Sequence, residues 1–139
     1  QRGIERSKAM DMMEYRHKAM AYLGPLPAFS TLAGEEEIYG MSSEGAPVKV
    51  CSKRLLEAVM GLNGQAGECQ EIVKKAMFHG HELDIEALLL EAGDVLWYLT
   101  ELCNELGISV DTIAKLNLQK LKNRYPDGFT HEASRERKE

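Results

Sequence analysis

Residues 52–78 read SKRLLEAVMGLNGQAGECQEIVKKAMF, and within them Leu55, Val59, Leu62, Ala66, Cys69, Val73 and Ala76 recur at the three- and four-residue steps of a helix. Ser52 is placed to cap its start, and His79-Gly80-His81 ends it. Gly61, Gly64 and Gly67 interrupt the run. Each costs up to about 1 kcal/mol relative to alanine, which makes sense where another backbone or a ligand comes close. The same helix carries Glu68-Cys69-Gln70-Glu71, an acidic pair at i,i+3 spacing that projects from one face.

Moving C-terminally, Asp84 caps a third helix running to Leu106. Its stripe is Leu88, Ala92, Val95, Leu99 and Leu102, with Gly107 as the stop. Ser109, with Asp111 in the first turn, opens a fourth helix through Arg124, ended by Pro126 and Gly128. Toward the N-terminus, Met10, Met13, Ala19, Met20 and Leu23 mark a first helix over 7–23, stopped by Gly24-Pro25. The methionines read as helix core. The stretch 26–50, with Pro27, Pro47, Gly34, Gly40, Gly45 and the acidic run Glu35-Glu36-Glu37, reads as a long loop with room for short ordered pieces, a length usual for lids and recognition loops. Residues 1–9 are expected to be flexible or foreign to the natural chain, and 132–139 a solvated tail. The fold class is all-α: an antiparallel bundle of about four main helices in a single domain, completed by oligomerisation.

Composition narrows the function. At 139 residues and 44% hydrophobic, the chain can bury one core. A net charge of −5 disfavours a nucleic-acid polymer or an anionic membrane as partner, since both draw affinity from clustered Lys and Arg. A small anion remains compatible if cations bridge it. Cys51, Cys69 and Cys103 are odd in number and widely spaced, so reduced thiols in a cytoplasmic protein are expected.

The third helix carries a second acidic pair, Glu91-Ala92-Gly93-Asp94. With the two helices antiparallel about the turn near Gly80, the pairs come level across the interface. Four bare carboxylates at one level repel, and divalent cations remove the conflict. An all-oxygen set suits Mg²⁺, with Mn²⁺ as substitute, better than zinc. A di-iron bundle would want Glu-x-x-His, and neither pair contains histidine. Tyr98, one turn beyond Asp94, can face the same site and contact a substrate. Trp97 reads as core or interface, and His79 and His81 as turn residues.

Gly64-Gln65-Ala66-Gly67-Glu68-Cys69-Gln70-Glu71-Ile72-Val73-Lys74-Lys75 and Glu91-Ala92-Gly93-Asp94-Val95-Leu96-Trp97-Tyr98 resemble the core of MazG-like nucleotide pyrophosphohydrolases. Asn117-Leu118-Gln119-Lys120-Leu121 and Arg124-Tyr125-Pro126-Asp127-Gly128-Phe129 extend the likeness, which runs from about Leu55 to Arg135. The resemblance implies an all-α enzyme, a homodimer or homotetramer. It would hydrolyse a nucleoside triphosphate between the α- and β-phosphates to the monophosphate and pyrophosphate, and so clear non-standard or excess deoxynucleotides. It further implies that Glu68, Glu71, Glu91 and Asp94 are metal ligands and that Asn117 and Lys120 lie near the nucleotide. Glu71 is the candidate base toward the attacking water, while Lys74, Lys120 or Arg124 would neutralise departing pyrophosphate. Two other readings remain open: a non-catalytic, metal-stabilised interaction module, and a hydrolase of another pyrophosphate such as phosphoribosyl-ATP.

Overall fold

The computed structural model of the chain describes residues 10–24, 37–41 and 45–135. In chain order it contains α1 (Met12–Met20), β1 (Glu37–Met41), β2 (Pro47–Cys51), α2 (Ser52–Phe78), α3 (Ile85–Glu105), α4 (Val110–Arg124) and α5 (His131–Arg135). The fold is helical, and α2 packed along α3 is its spine. Asp84 caps α3, its Oδ1 accepting from the Ala87 amide at 2.9 Å, and Ser109 caps α4, its Oγ accepting from Thr112 at 3.2 Å. At the end of α3, Ile108 donates to the Cys103 carbonyl at 2.9 Å and Gly107 to that of Asn104 at 3.1 Å. That pair of bonds turns the chain through a left-handed residue, which Gly107 supplies with φ 66°.

Two contacts fix how α2 and α3 run. A Cβ at Gly61 would overlap the Tyr98 ring, and Arg54 stands 3.9 Å from Glu101. Moving forward along α3 moves backward along α2, so the helices are antiparallel. The core gathers where the first half of α2 meets the second half of α3 beneath α1: Ala58, Thr100, Glu101 and Cys103 are fully enclosed and Ala19 nearly so. α1 is tied on by Trp97, whose Nε1 donates to the Ala19 carbonyl at 3.1 Å, and by Arg16, whose Nη2 donates to Asn104 Oδ1 at 3.0 Å. Trp97 thus serves the interface between helices.

Several boundaries differ from the sequence reading. α1 starts at Met12 because Asp11 caps it, its Oδ1 accepting from Met13 at 2.9 Å; Ser7 lies outside the described residues. Met10 and Met13 are exposed, 55% and 54%, not core. The 26–50 segment is not wholly loop: β1 and β2 pair antiparallel, with Glu37 opposite Cys51, Tyr39 opposite Lys49 and Met41 opposite Pro47. The sequence signal was there in Ile38-Tyr39 and Val48-Lys49-Val50, short β-forming runs either side of turn-forming residues; the prolines and glycines around them masked it. The remainder of that segment, apart from Gly45 and Ala46, lies outside the described residues, as do residues 1–9 and 136–139. The expected tail also begins with an ordered turn, α5.

Candidate functional site

α2 and α3 deliver the two acidic pairs to neighbouring stretches of their interface. From the Gly61–Tyr98 contact, seven residues toward the connecting turn on each helix lead to Glu68 and Glu91. Those two residues are therefore level. Four residues from the same contact lie Gln65 and Asp94, so Asp94 sits about one turn back, and Glu71 one turn forward. The pairs overlap in register rather than matching member for member. Glu91 and Glu71 are half-buried, while Glu68 and Asp94 are exposed.

Glu71 is held by Lys74, its i+3 neighbour, and by Lys75 at 3.6 Å. The Lys74 ammonium, bonded to it, keeps its carboxyl below the usual carboxylate range. Lys74 therefore stands beside one of the four carboxylates. Asp94 has a neighbour the sequence reading missed: Tyr15 of α1, whose phenol is pushed up first by burial and then by the Asp94 charge. The signal was slight, Tyr15 lying one turn before Ala19 on the face that meets α3.

Tyr98 lies half-buried against Gly61, its ring edge-on to Trp97 with centroids 4.8 Å apart. The packing explains Gly61, whereas a Cβ at Gly64 or Gly67 would meet open space. α4 touches α3 only lightly, with Asn117 and Lys120 exposed and Arg124 half-buried. Within one chain, then, α2 and α3 carry the carboxylates, Lys74 and Tyr98 on neighbouring turns, and α1 brings Tyr15 to Asp94. Asn117, Lys120 and Arg124 stand on a separate, loosely attached helix.

The donor set is all carboxylate, two groups from each of two packed helices, which is the chemistry Mg²⁺ or Mn²⁺ selects. As the side chains are placed, no three acidic, histidine or cysteine groups among the described residues gather closely enough to grip an ion. Their rotamers would have to turn inward on binding.

The family profile for the MazG nucleotide pyrophosphohydrolase domain matches residues 58–129, more than half of the 139-residue chain, and spans both acidic pairs and α4. The chain belongs to that family. Its MazG segment starts inside α2 and leaves α1 and the β-hairpin outside the match. Among curated proteins, the Gene 37 protein of Mycobacterium phage L5 is 37% identical over 73 residues, covering 50% of this chain and 64% of that protein. The match thus spans less than two thirds of the relative's own length. No solved structure gives a significant match. No helix among the described residues is long and apolar enough to cross a membrane.

Proposed function

We propose that this MazG-family protein is a cytoplasmic, Mg²⁺-dependent nucleoside triphosphate pyrophosphohydrolase that cleaves between the α- and β-phosphates, releasing pyrophosphate and a nucleoside monophosphate. The observation that carries the reading is the overlapping register of Glu68-x-x-Glu71 on α2 and Glu91-x-x-Asp94 on the antiparallel α3, inside the matched segment. Glu68, Glu71, Glu91 and Asp94 would hold the cation. When bound, it supplies positive charge to phosphate oxygens and makes water more acidic.

The residues of the chain take the remaining roles. Glu71, kept ionised by Lys74, suits a ligand that need lose no proton; the same depressed pKa makes it a weaker proton acceptor, so the ligand role outweighs the base role. Lys74, paired with Glu71, would neutralise phosphate charge. Tyr15 and Tyr98 border the acidic region and can orient the nucleoside. Lys120, with Asn117 and Arg124, would contact the nucleotide or departing pyrophosphate once α4 is seated by further packing.

A second copy of the chain supplies that packing. Leu56, Val59, Met60, Met77, Phe78, Ile85, Leu89, Leu90, Leu116 and Leu118 are all at least 45% exposed. That is far more apolar surface than a monomer usually leaves in water, so a homodimer or homotetramer is expected.

Incubation of the purified chain with Mg²⁺ and a panel of ribo- and deoxynucleoside triphosphates tests the reading. Pyrophosphate and monophosphate should appear in equal amounts, and Glu91→Gln or Asp94→Asn should lower the rate at least a hundredfold while leaving helix content unchanged. Orthophosphate as first product, or full activity in both variants, would refute it.

A further inference from the structure

Glu101 is the most unusual side chain in the described structure: it is wholly enclosed, and neither carboxylate oxygen has a hydrogen-bond partner. It belongs to neither acidic pair. Two turns along α3 from Asp94, it faces the opening turns of α2 rather than the candidate site. A buried acceptor pair with nothing to accept from costs several kcal/mol when ionised, a cost relieved by a proton or by a partner drawn to it.

The groups around it define what can change. From α2, Arg54 and Glu57 act on it; on α3 itself, Glu105 does. α1 contributes Arg16, which is already bonded to Asn104, while His17 and Lys18 at its end are exposed. α4 presents Asp111 and Lys115 to solvent. Arg54 is therefore the cation that attracts the Glu101 charge, yet its Nη1 stands 3.9 Å from Oε1, beyond hydrogen-bond reach. The guanidinium is held off by its other partners: Nη2 donates to the carbonyl of Gly24, just past the end of α1, and Nη1 to Glu57 at 3.4 Å.

We propose that Arg54 and Glu101 form a proton-controlled latch on α1. While Glu101 keeps its proton, Arg54 holds the Gly24 carbonyl and pins the end of α1 to the spine. When Glu101 ionises, the buried carboxylate draws the guanidinium inward by about 1 Å into a charge-assisted pair. Gly24 then loses its donor, and the last turn of α1 loosens. Burial sets the operating range near neutrality, since it raises the Glu101 carboxyl to about 7, with the repulsion of Glu57 adding to it and the attraction of Arg54 opposing it. Because α1 also carries Tyr15 to Asp94, the latch would tie the mobility of one wall of the candidate site to pH.

Trp97, the sole tryptophan, reports the event directly, since its indole bonds to Ala19 on α1. Its fluorescence should be titrated from about pH 5 to 9 on the full chain, alongside hydrogen exchange of residues 12–23 corrected for intrinsic rates. The wild type should show an emission change with a midpoint near 7 and at least fivefold faster corrected exchange above it. Glu101→Gln should hold the low-pH emission and slow exchange throughout, and Arg54→Gln should show fast exchange at every pH. A wild type without a transition, or a transition that persists in Glu101→Gln and so belongs to another group, would overturn the latch. Neither readout depends on catalysis, so the result is separable from that of the nucleotide assay.

Discussion

At the scale of single residues, two carboxylates show opposite uses of the environment. Glu71 lies beside Lys74 and stays charged, as its proposed role of metal ligand requires, whereas Glu101 is walled in and resists charging. The consequence for stability can be worked out. A carboxyl raised from 4.5 to about 7 holds its proton longer in the folded chain than in the unfolded one. The stability it permits is therefore full below the ordinary carboxylate value, falls as pH rises through the interval up to about 7, and is level above it. Each tenfold difference in proton affinity between the folded and unfolded chain is worth about 1.4 kcal/mol, so the loss is on the order of 3 kcal/mol. Glu101→Gln, which imitates the protonated state, should unfold at higher urea concentration than wild type near pH 8 by about that free energy, and at the same concentration near pH 5; an equal difference at both pH values would contradict the assignment. Glu71 works the other way. Its contribution is present above the ordinary carboxylate range and is lost on acidification.

At the scale of elements, the glycines of α2 separate by sign. Gly61→Ala drives a methyl into the Tyr98 ring and should destabilise by about 1–3 kcal/mol despite alanine's better helix propensity. Gly64→Ala and Gly67→Ala meet open space and should stabilise by up to about 1 kcal/mol each, all three read as changes in thermal midpoint. The sequence could say that glycines there served close approach, but not which one, because the answer depends on where the partner helix puts an aromatic ring. Much else was legible. Asp84, Ser109 and Gly107 announce helix ends by chemistry that acts within a few residues; α3 and α4 fall where their caps put them, and α2 covers the span its apolar stripe marks, with Ser52 as its first helical residue rather than its cap. The β-hairpin was not, since its strands are short and sit among breakers. Within the site, the i,i+3 acidic pairs were readable because helical spacing fixes them. Their offset register and the arrival of Tyr15 were not, because both arise from tertiary packing.

At the scale of the whole molecule, the buried apolar core of the described chain is small while its apolar surface is large, and α4 is barely anchored. A chain of this kind should run as a dimer or larger assembly in light scattering, and Leu90→Glu, altering a leucine 67% exposed in the single chain, should shift it toward monomer. A monomer at every concentration would remove the proposed route for seating Lys120 and Asn117. Beneath these expectations lies one claim: Glu68, Glu71, Glu91 and Asp94 form a divalent-cation site. The most direct test is a titration of the chain with Mn²⁺ followed by electron paramagnetic resonance, which counts free ion against bound. The wild type should bind ion with micromolar to sub-millimolar affinity, and Glu91→Gln and Asp94→Asn should each weaken binding at least tenfold. Unchanged binding in both variants, or none in the wild type with or without nucleotide, would contradict the claim.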